Sequence, residues 1–232
     1  MALMKAAVFV EKNRIVLEDR PIPDIGPLDA LVRITTTTIC GTDVHILRGE
    51  YPVARGLTVG HEPVGVIEKL GSQVQGFREG QRVIAGAITP SGHSYACLCG
   101  CASQDGAGTV HGFKAIGGWK FGNLIDGCQA EYVRVPDAMA NLAPIPDRLS
   151  DEQVLMCPDI MLRPGGTLSS LGVYSADLSI PLGPFAAGLG DYRIVTTLCP
   201  GGKEPMRRLM AVVASGRVGV HKDKPKATCS TQ

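Results

Sequence analysis

The chain has 232 residues, of which 44% are hydrophobic, and a formal net charge of +1 at pH 7. This composition can bury a sizeable core and argues against global disorder. The small net charge gives no electrostatic reason to expect nucleic acid or an anionic membrane surface as a partner. No apolar run approaches the ~20 residues that span a bilayer, and the N-terminal stretch lacks the layout of a secretory signal. We therefore expect a soluble, cytoplasmic protein with reduced cysteines.

The part of the chain before residue 150 is dominated by short apolar or alternating runs, which predict β-strands. The runs are KAAVFV (5–10), RIVLED (14–19), ALVRITTTTI (30–39), GVIEKLG (65–71), QRVIAG (81–86) and AEYVRV (130–135). Because Gly, Pro and Asp separate these runs, the pattern indicates a β-barrel or sandwich with tight turns. Residues 90–118 have weak periodicity and predict a long excursion from the barrel.

Two segments carry helix signals. Ser150 is followed three residues later by Gln153, which is a capping box at a helix start. A second helix is predicted near the C-terminus, with Gly216 as the residue just after its end. Its apolar face would comprise Met206, Leu209, Met210 and Val213. Residues 165–174 and 192–199 read as further strands.

Three residues far apart in sequence supply the ligand types of a catalytic zinc site. Such a site uses three protein ligands and leaves a fourth position open. Cys40, His61 and Asp159 offer one thiolate, one imidazole and one carboxylate. Each residue alone is weak evidence, because a single Cys or His is more often a packing or surface residue.

Longer motifs surround these residues and are more specific. The first is CGTDVH (40–45), the second runs from Gly60 to Val74 as GHEPVGVIEKLGSQV, and the third is CPD (157–159). With them the chain resembles the zinc-dependent medium-chain alcohol dehydrogenases, and is most similar to bacterial members that act on secondary alcohols and ketones. The resemblance covers about residues 4–161 and resumes over 162–218.

The resemblance implies roles for the residues that match the motifs. Cys40, His61 and Asp159 correspond to the catalytic zinc ligands. Glu62 corresponds to an acidic neighbour that can approach or replace a ligand, and Asp43 to a residue that orients His61. The alternative for Asp43 and Glu62 is that they are ordinary turn and strand-edge carboxylates.

Two further residues match the path that removes the alcohol proton. Thr42 corresponds to the hydroxyl that passes this proton onward, and His45 to the imidazole nearer solvent. A histidine suits this role because it titrates near neutral pH.

The segment CLCGC places Cys97, Cys99 and Cys101 at one-residue gaps. An extended chain puts alternate side chains on one side, so these thiols can grip a soft metal ion. A closed site of four thiolates is not favoured, because the next cysteine is Cys128. We favour reduced thiols without metal over a second metal site.

A discontinuity is predicted between Met161 and Leu162. In the family that the chain resembles, a Rossmann cofactor domain follows the CPD turn, but this sequence has no G-x-G-x-x-G motif after a strand. We expect on the order of 100 residues or more to be missing there, since a doubly wound domain needs several units of ~30 residues. The predicted architecture is mainly β. It comprises a GroES-like zinc catalytic domain (1–161), a short α/β Rossmann remnant (162–218) and a disordered tail (219–232).

The predicted function is that of a zinc-dependent alcohol dehydrogenase acting on a small alcohol or ketone, with NAD(P) dependence weak or lost. One alternative is a non-catalytic zinc-binding barrel that serves as an interaction module. Another is hydrolysis by a zinc-bound hydroxide, which an open coordination position allows. The uncovered apolar faces of the remnant predict that it self-associates into a homo-oligomer, packs back on the barrel or is poorly ordered.

Overall fold

The computed structural model describes residues 2–155, 157, 169–170, 195–196 and 202–216. The strands are β1 (Leu3–Glu11), β2 (Arg14–Pro21), β3 (Ala30–Thr36), β4 (Val64–Leu70), β5 (Arg82–Ala85), β6 (Tyr132–Val135), β7 (Leu142–Pro144), β8 (Ser169–Ser170) and β9 (Val195–Thr196). The helices are α1 (Gly41–Leu47), α2 (Tyr95–Leu98), α3 (Ala138–Asn141), α4 (Asp151–Val154) and α5 (Lys203–Ala214). No helix in this described part of the chain is long and apolar enough to cross a membrane.

A five-stranded antiparallel sheet lies at the centre of the fold, in the order β6–β3–β4–β5–β7. The β1–β2 hairpin forms a second sheet, and bridges from Ala6 to Ala130 and from Val8 to Thr58 join it to the rest. Apolar side chains of the larger sheet meet in one buried cluster around Phe121, which is 0% exposed. The mainly β architecture predicted from the sequence is confirmed.

The six predicted strands are all present, and in β1 and β6 buried residues alternate with more exposed ones, as expected for a sheet with one face on the core. The third predicted strand is too long, since β3 ends at Thr36 and the chain then leads into helix α1. Four short elements were not predicted: α1, α2, α3 and β7. Residues 90–118 form the predicted excursion, which contains the four-residue helix α2 and a 3-10 turn at Ala102–Gln104.

Helix α5 packs against the barrel. Its residues Met206, Met210 and Val213 are buried, and Leu209 is partly buried against the same cluster. The cluster also includes Val64, Ile84, Ala143, Ile145, Leu149, Val154 and Cys157. One of the three predicted outcomes for the remnant therefore holds for α5, which packs back on the barrel.

The ends of α4 and α5 follow the sequence signals. The side chain of Ser150 accepts a hydrogen bond from the backbone of Gln153, and the side chain of Gln153 reaches back to the backbone of Ser150. Gly216 follows α5 with φ of +72°, a conformation that favours glycine. Most of the predicted remnant (162–218) and the whole tail (219–232) lie outside the described residues.

Candidate metal centre

Cys40 lies at the N-cap of helix α1, four residues after strand β3 ends. Its backbone is extended, with φ of −91° and ψ of 162°, and its N–H donates to Oδ2 of Asp43 at 2.8 Å. Asp43 is the third residue of the helix, so the two residues form a capping box. The cap fixes the Cys40 thiol at the start of a helix that also carries Thr42 and His45.

His61 and Glu62 come from a tight turn that precedes strand β4. Gly60 has φ of +95°, which favours glycine. A Cβ atom on Gly60 would lie only 2.6 Å from Cγ of Gln129, so the close packing also requires glycine here. The turn buries both side chains, which are 5% exposed for His61 and 0% for Glu62.

The two segments bring three metal-ligating side chains together. One ligand atom each from Cys40, His61 and Glu62 lies within 4.8 Å of the others. Among the residues that the structure describes, no other group of three or more His, Cys, Asp or Glu side chains converges in this way. Thiolate, imidazole and carboxylate are the ligands that zinc prefers, at about 2.0–2.3 Å from the ion. The donor set therefore fits a zinc ion.

Asp159, the third ligand in the sequence-based prediction, lies outside the described residues. Among the described residues, Glu62 offers the third atom of a type that can bind a metal ion, beside those of Cys40 and His61. The nearby Cys157 is described and is buried in the apolar cluster under α5. Burial raises the pKa of the Cys157 thiol to about 11.

Asp43 lies behind His61, and both side chains are 5% exposed. The Oδ1 atom of Asp43 is 3.8 Å from Nδ1 of His61. Its Oδ2 atom accepts hydrogen bonds from the Cys40 backbone and from Nε2 of Gln129. A carboxylate facing Nδ1 favours a proton on that nitrogen, so that Nε2 of His61 would be the atom offered to a metal ion.

The electrostatic surroundings of His61 yield a testable prediction. Burial lowers its pKa, but the hydrogen bond to Cys40 and the charge of Asp43 outweigh this effect and raise the pKa from 6.5 to about 9. The metal-free fold therefore gains stability from protonated His61 that is fully present below pH 6.5 and is lost as the pH rises through about 9. Because a metal ion binds the neutral imidazole, we also expect zinc affinity to rise with pH over this window.

This prediction can be checked by NMR on the metal-free protein. The ring resonances of His61 should titrate with a midpoint near 9. A midpoint at or below the ordinary value of 6.5 would contradict the described contacts with Cys40 and Asp43.

Thr42 and His45 lie on helix α1, three residues apart and so on one face. The Thr42 Oγ1 atom is 3.9 Å from the Cys40 sulfur. Nδ1 of His45 is hydrogen-bonded to the carboxylate of Glu50, which lowers the pKa of Glu50. The His45 ring also packs edge-on against Tyr51, with 5.7 Å between ring centroids. With 25% of its side chain exposed, His45 reaches solvent from the helix that carries the site.

The three cysteines of the CLCGC segment point to different partners. The Cys97 sulfur lies 3.2 Å from Oγ of Ser94 and 3.6 Å from Oδ1 of Asp105. Cys99 and Cys101 are exposed, and the Cys101 sulfur lies 4.0 Å from the Cys99 carbonyl oxygen. Their metal-free state stays a prediction.

Two residues of the site were missed by the sequence analysis. Thr38 donates a hydrogen bond through Oγ1 to Glu62. Gln129 donates through Nε2 to the carbonyl oxygen of Thr38 at 3.1 Å and to Asp43 at 2.9 Å. No motif marks them, because hydroxyl and amide side chains are common and Gln129 is distant in sequence from its partners.

Comparisons with known proteins identify the family to which the chain belongs. Residues 26–147, more than half of the chain, match the family described as the alcohol dehydrogenase GroES-like domain. An alcohol dehydrogenase of Cupriavidus necator is 51% identical over 327 residues, which cover 94% of this chain and 89% of the relative. Because 94% of 232 residues is about 218, the relative has about 109 residues in this alignment without a counterpart here.

Two other relatives match a smaller part of their own length. An NADP-dependent isopropanol dehydrogenase of Thermoanaerobacter brockii is 34% identical over 175 residues, covering 75% of this chain and 45% of the relative. The solved structure of zinc dependent alcohol dehydrogenase 2 from Streptococcus pneumonia has a TM-score of 0.57 and 37% identity, covering 66% of this chain and 42% of that chain. The chain thus spans less than half the length of these two proteins. With a matching family domain and a relative at 51% identity, the chain belongs to the zinc-type medium-chain alcohol dehydrogenases, as its motifs predicted.

Proposed function

We propose that the protein is a zinc-dependent oxidoreductase that interconverts a small alcohol and the corresponding ketone. The observation that carries this proposal is the convergence of Cys40, His61 and Glu62 within 4.8 Å in a buried site of the GroES-like domain. We assign zinc binding to Cys40, His61 and Asp159, with Glu62 able to take a ligand position. The names of the relatives, which include an isopropanol dehydrogenase, support a secondary alcohol as substrate.

The chemistry divides between the metal and the side chains of helix α1. Bound zinc would act as a Lewis acid that polarises the substrate oxygen. Thr42, whose Oγ1 is 3.9 Å from the Cys40 sulfur, takes the hydroxyl proton of the alcohol while it gives up its own hydroxyl proton toward His45. His45 takes this proton at Nε2 and releases it to solvent, because its Nδ1 is held by Glu50.

Oxidation of an alcohol also removes a hydride from its carbon, so the reaction needs an acceptor. Nicotinamide serves in the family, and the acceptor carbon must lie roughly 3–3.5 Å from the donor carbon. The Cupriavidus necator relative has about 109 residues that this chain lacks, and the chain has no G-x-G-x-x-G motif after a strand. We therefore propose that NAD(P) binds weakly or not at all, and that turnover depends on an added acceptor.

The proposal is tested by secondary-alcohol oxidation with the zinc-loaded protein. Ketone formation from propan-2-ol is measured with and without NAD+, NADP+ or oxygen, and the matched control is Cys40→Ala. We expect the protein to form more ketone than the control only when an acceptor is added. The rate should not saturate at micromolar concentrations of NAD+ or NADP+, because these cofactors bind weakly or not at all. If the protein binds zinc but forms no ketone above the control, the non-catalytic zinc-binding barrel replaces the enzyme as the better explanation.

A further inference from the structure

The side-chain amide of Gln129 is hydrogen-bonded to Thr38 and Asp43, and each of these residues contacts one side chain of the candidate metal centre. One N–H of its Nε2 group donates to the carbonyl oxygen of Thr38 at 3.1 Å. The other donates to Oδ2 of Asp43 at 2.9 Å. Both amide hydrogens are therefore used, which fixes the orientation of the side chain.

The two acceptors each lie behind a metal-ligating side chain. Asp43 places Oδ1 at 3.8 Å from Nδ1 of His61. Thr38 donates its hydroxyl to the carboxylate of Glu62. The Gln129 amide therefore links Asp43, which faces the His61 imidazole, to Thr38, which donates to the Glu62 carboxylate.

The backbone holds Gln129 rigidly in this place. Its N–H donates to the carbonyl of Val59 at 2.9 Å, and its own carbonyl accepts from Ala7 at 2.8 Å. The preceding residue, Cys128, donates to the carbonyl of Gly60 at 3.0 Å. These hydrogen bonds tie Gln129 and Cys128 to Val59 and Gly60, which directly precede His61. The position of the Gln129 backbone is therefore fixed relative to the turn that carries His61.

We propose that Gln129 is a positioning residue of the metal centre, which sets the orientation of His61 through Asp43 and of Glu62 through Thr38. The inference rests on the proposed zinc-binding function. Residues behind metal ligands typically change metal affinity about 10- to 100-fold when they are altered. An amide suits this position because it can donate to two oxygen acceptors, whereas a carboxylate cannot donate and would repel Asp43.

The test compares three variants of the full chain. Gln129→Met keeps the length of the side chain but removes both donors, and Gln129→Glu replaces the donors with an anionic acceptor. Gln104→Met is the matched control, because Gln104 is also partly buried but lies in the excursion and donates to Ser103. Zinc affinity is measured by competition with a chelator, and the cobalt(II) absorption spectrum reports the geometry of the ligands.

We expect Gln129→Met to weaken zinc binding about 10- to 100-fold and to alter the cobalt spectrum. Gln129→Glu should weaken it further, and Gln104→Met should leave both readouts unchanged. A merely structural role would lower the urea midpoint of the metal-free protein without changing the cobalt spectrum. If Gln129→Met does not fold, Gln129→Asn, which keeps the amide but shortens its reach, provides the same comparison.

The outcomes separate this inference from the proposed function. If the unaltered protein binds no zinc, the proposed function fails first. If it binds zinc and the folded Gln129 variants match it in affinity within twofold and in cobalt spectrum, the positioning role of Gln129 is wrong.

Discussion

Replacing Cys40 with serine is expected to remove tight zinc binding, with a loss of affinity well beyond the roughly 10- to 100-fold typical of residues behind the ligands. Serine preserves the size and a polar atom at the N-cap of helix α1, so the fold should survive. It lacks the thiolate, which is the softest of the three donors that converge in the site. The measurement is zinc content after gel filtration, together with chelator competition.

The matched control for this substitution is Cys99→Ser. Cys99 is an exposed thiol of the CLCGC segment, so this variant should retain full zinc content. If Cys99→Ser lost the metal while Cys40→Ser kept it, the zinc would belong to the excursion and not to the site formed with His61.

Truncating Met210 to alanine is expected to destabilise the protein by about 2–5 kcal/mol, the usual range for a buried Met→Ala substitution. Met210 is 1% exposed and lies in the apolar cluster between helix α5 and the barrel. Ile84 and Ala143 belong to the same cluster and are paired on neighbouring strands of one sheet. Because these strands cannot readily move inward, removal of the Met210 side chain leaves a cavity. Urea unfolding of the metal-free protein measures the change in the free energy of unfolding.

Arg208→Ala on the opposite face of α5 is the control. Its side chain is 75% exposed and pairs only with the exposed Glu204 in the described structure, so the change should stay within about 0.5 kcal/mol. If Met210→Ala cost no more than Arg208→Ala, α5 would not be docked on the barrel in solution.

Much of the barrel could be predicted because its strands alternate between buried and exposed residues. Strand β1 carries this signal from Leu3 to Val8, and strand β6 carries it over its four residues. Strand β7 has only three residues, Leu142–Pro144, which is too short for a period to be recognised. Helix α1 was missed because it follows a run of β-branched threonines, and its capping pair, Cys40 and Asp43, does not match the usual Ser or Thr pattern.

The ligands of the candidate site could be predicted only in part. The motifs predict Cys40, His61 and Asp159 as ligands and Glu62 as their acidic neighbour; side chains of Cys40, His61 and Glu62 converge within 4.8 Å, and Asp159 lies outside the described residues. The hydrogen bonds from Gln129 join residues that are 86 and 91 positions away, and no local pattern reports such contacts. They follow from how the backbone near Gly60 packs against residues 127–129.

The break predicted between Met161 and Leu162 agrees in size with the comparison. The missing phosphate-binding turn predicts a loss on the order of 100 residues, and the Cupriavidus necator relative has about 109 without a counterpart. Helix α5 was harder to place, because its apolar face could equally pack in a cofactor domain, on the barrel or against a second copy. Its burial against Ile84 and Ala143 is a tertiary property that the helical period does not encode.

X-ray absorption at the zinc edge of the metal-loaded protein tests the metal centre most directly. We expect one zinc per chain, with a single sulfur neighbour at about 2.3 Å and the other neighbours nitrogen or oxygen at about 2.0–2.2 Å. A shell of three or four sulfur atoms, or none, would contradict a site built from Cys40, His61 and a carboxylate.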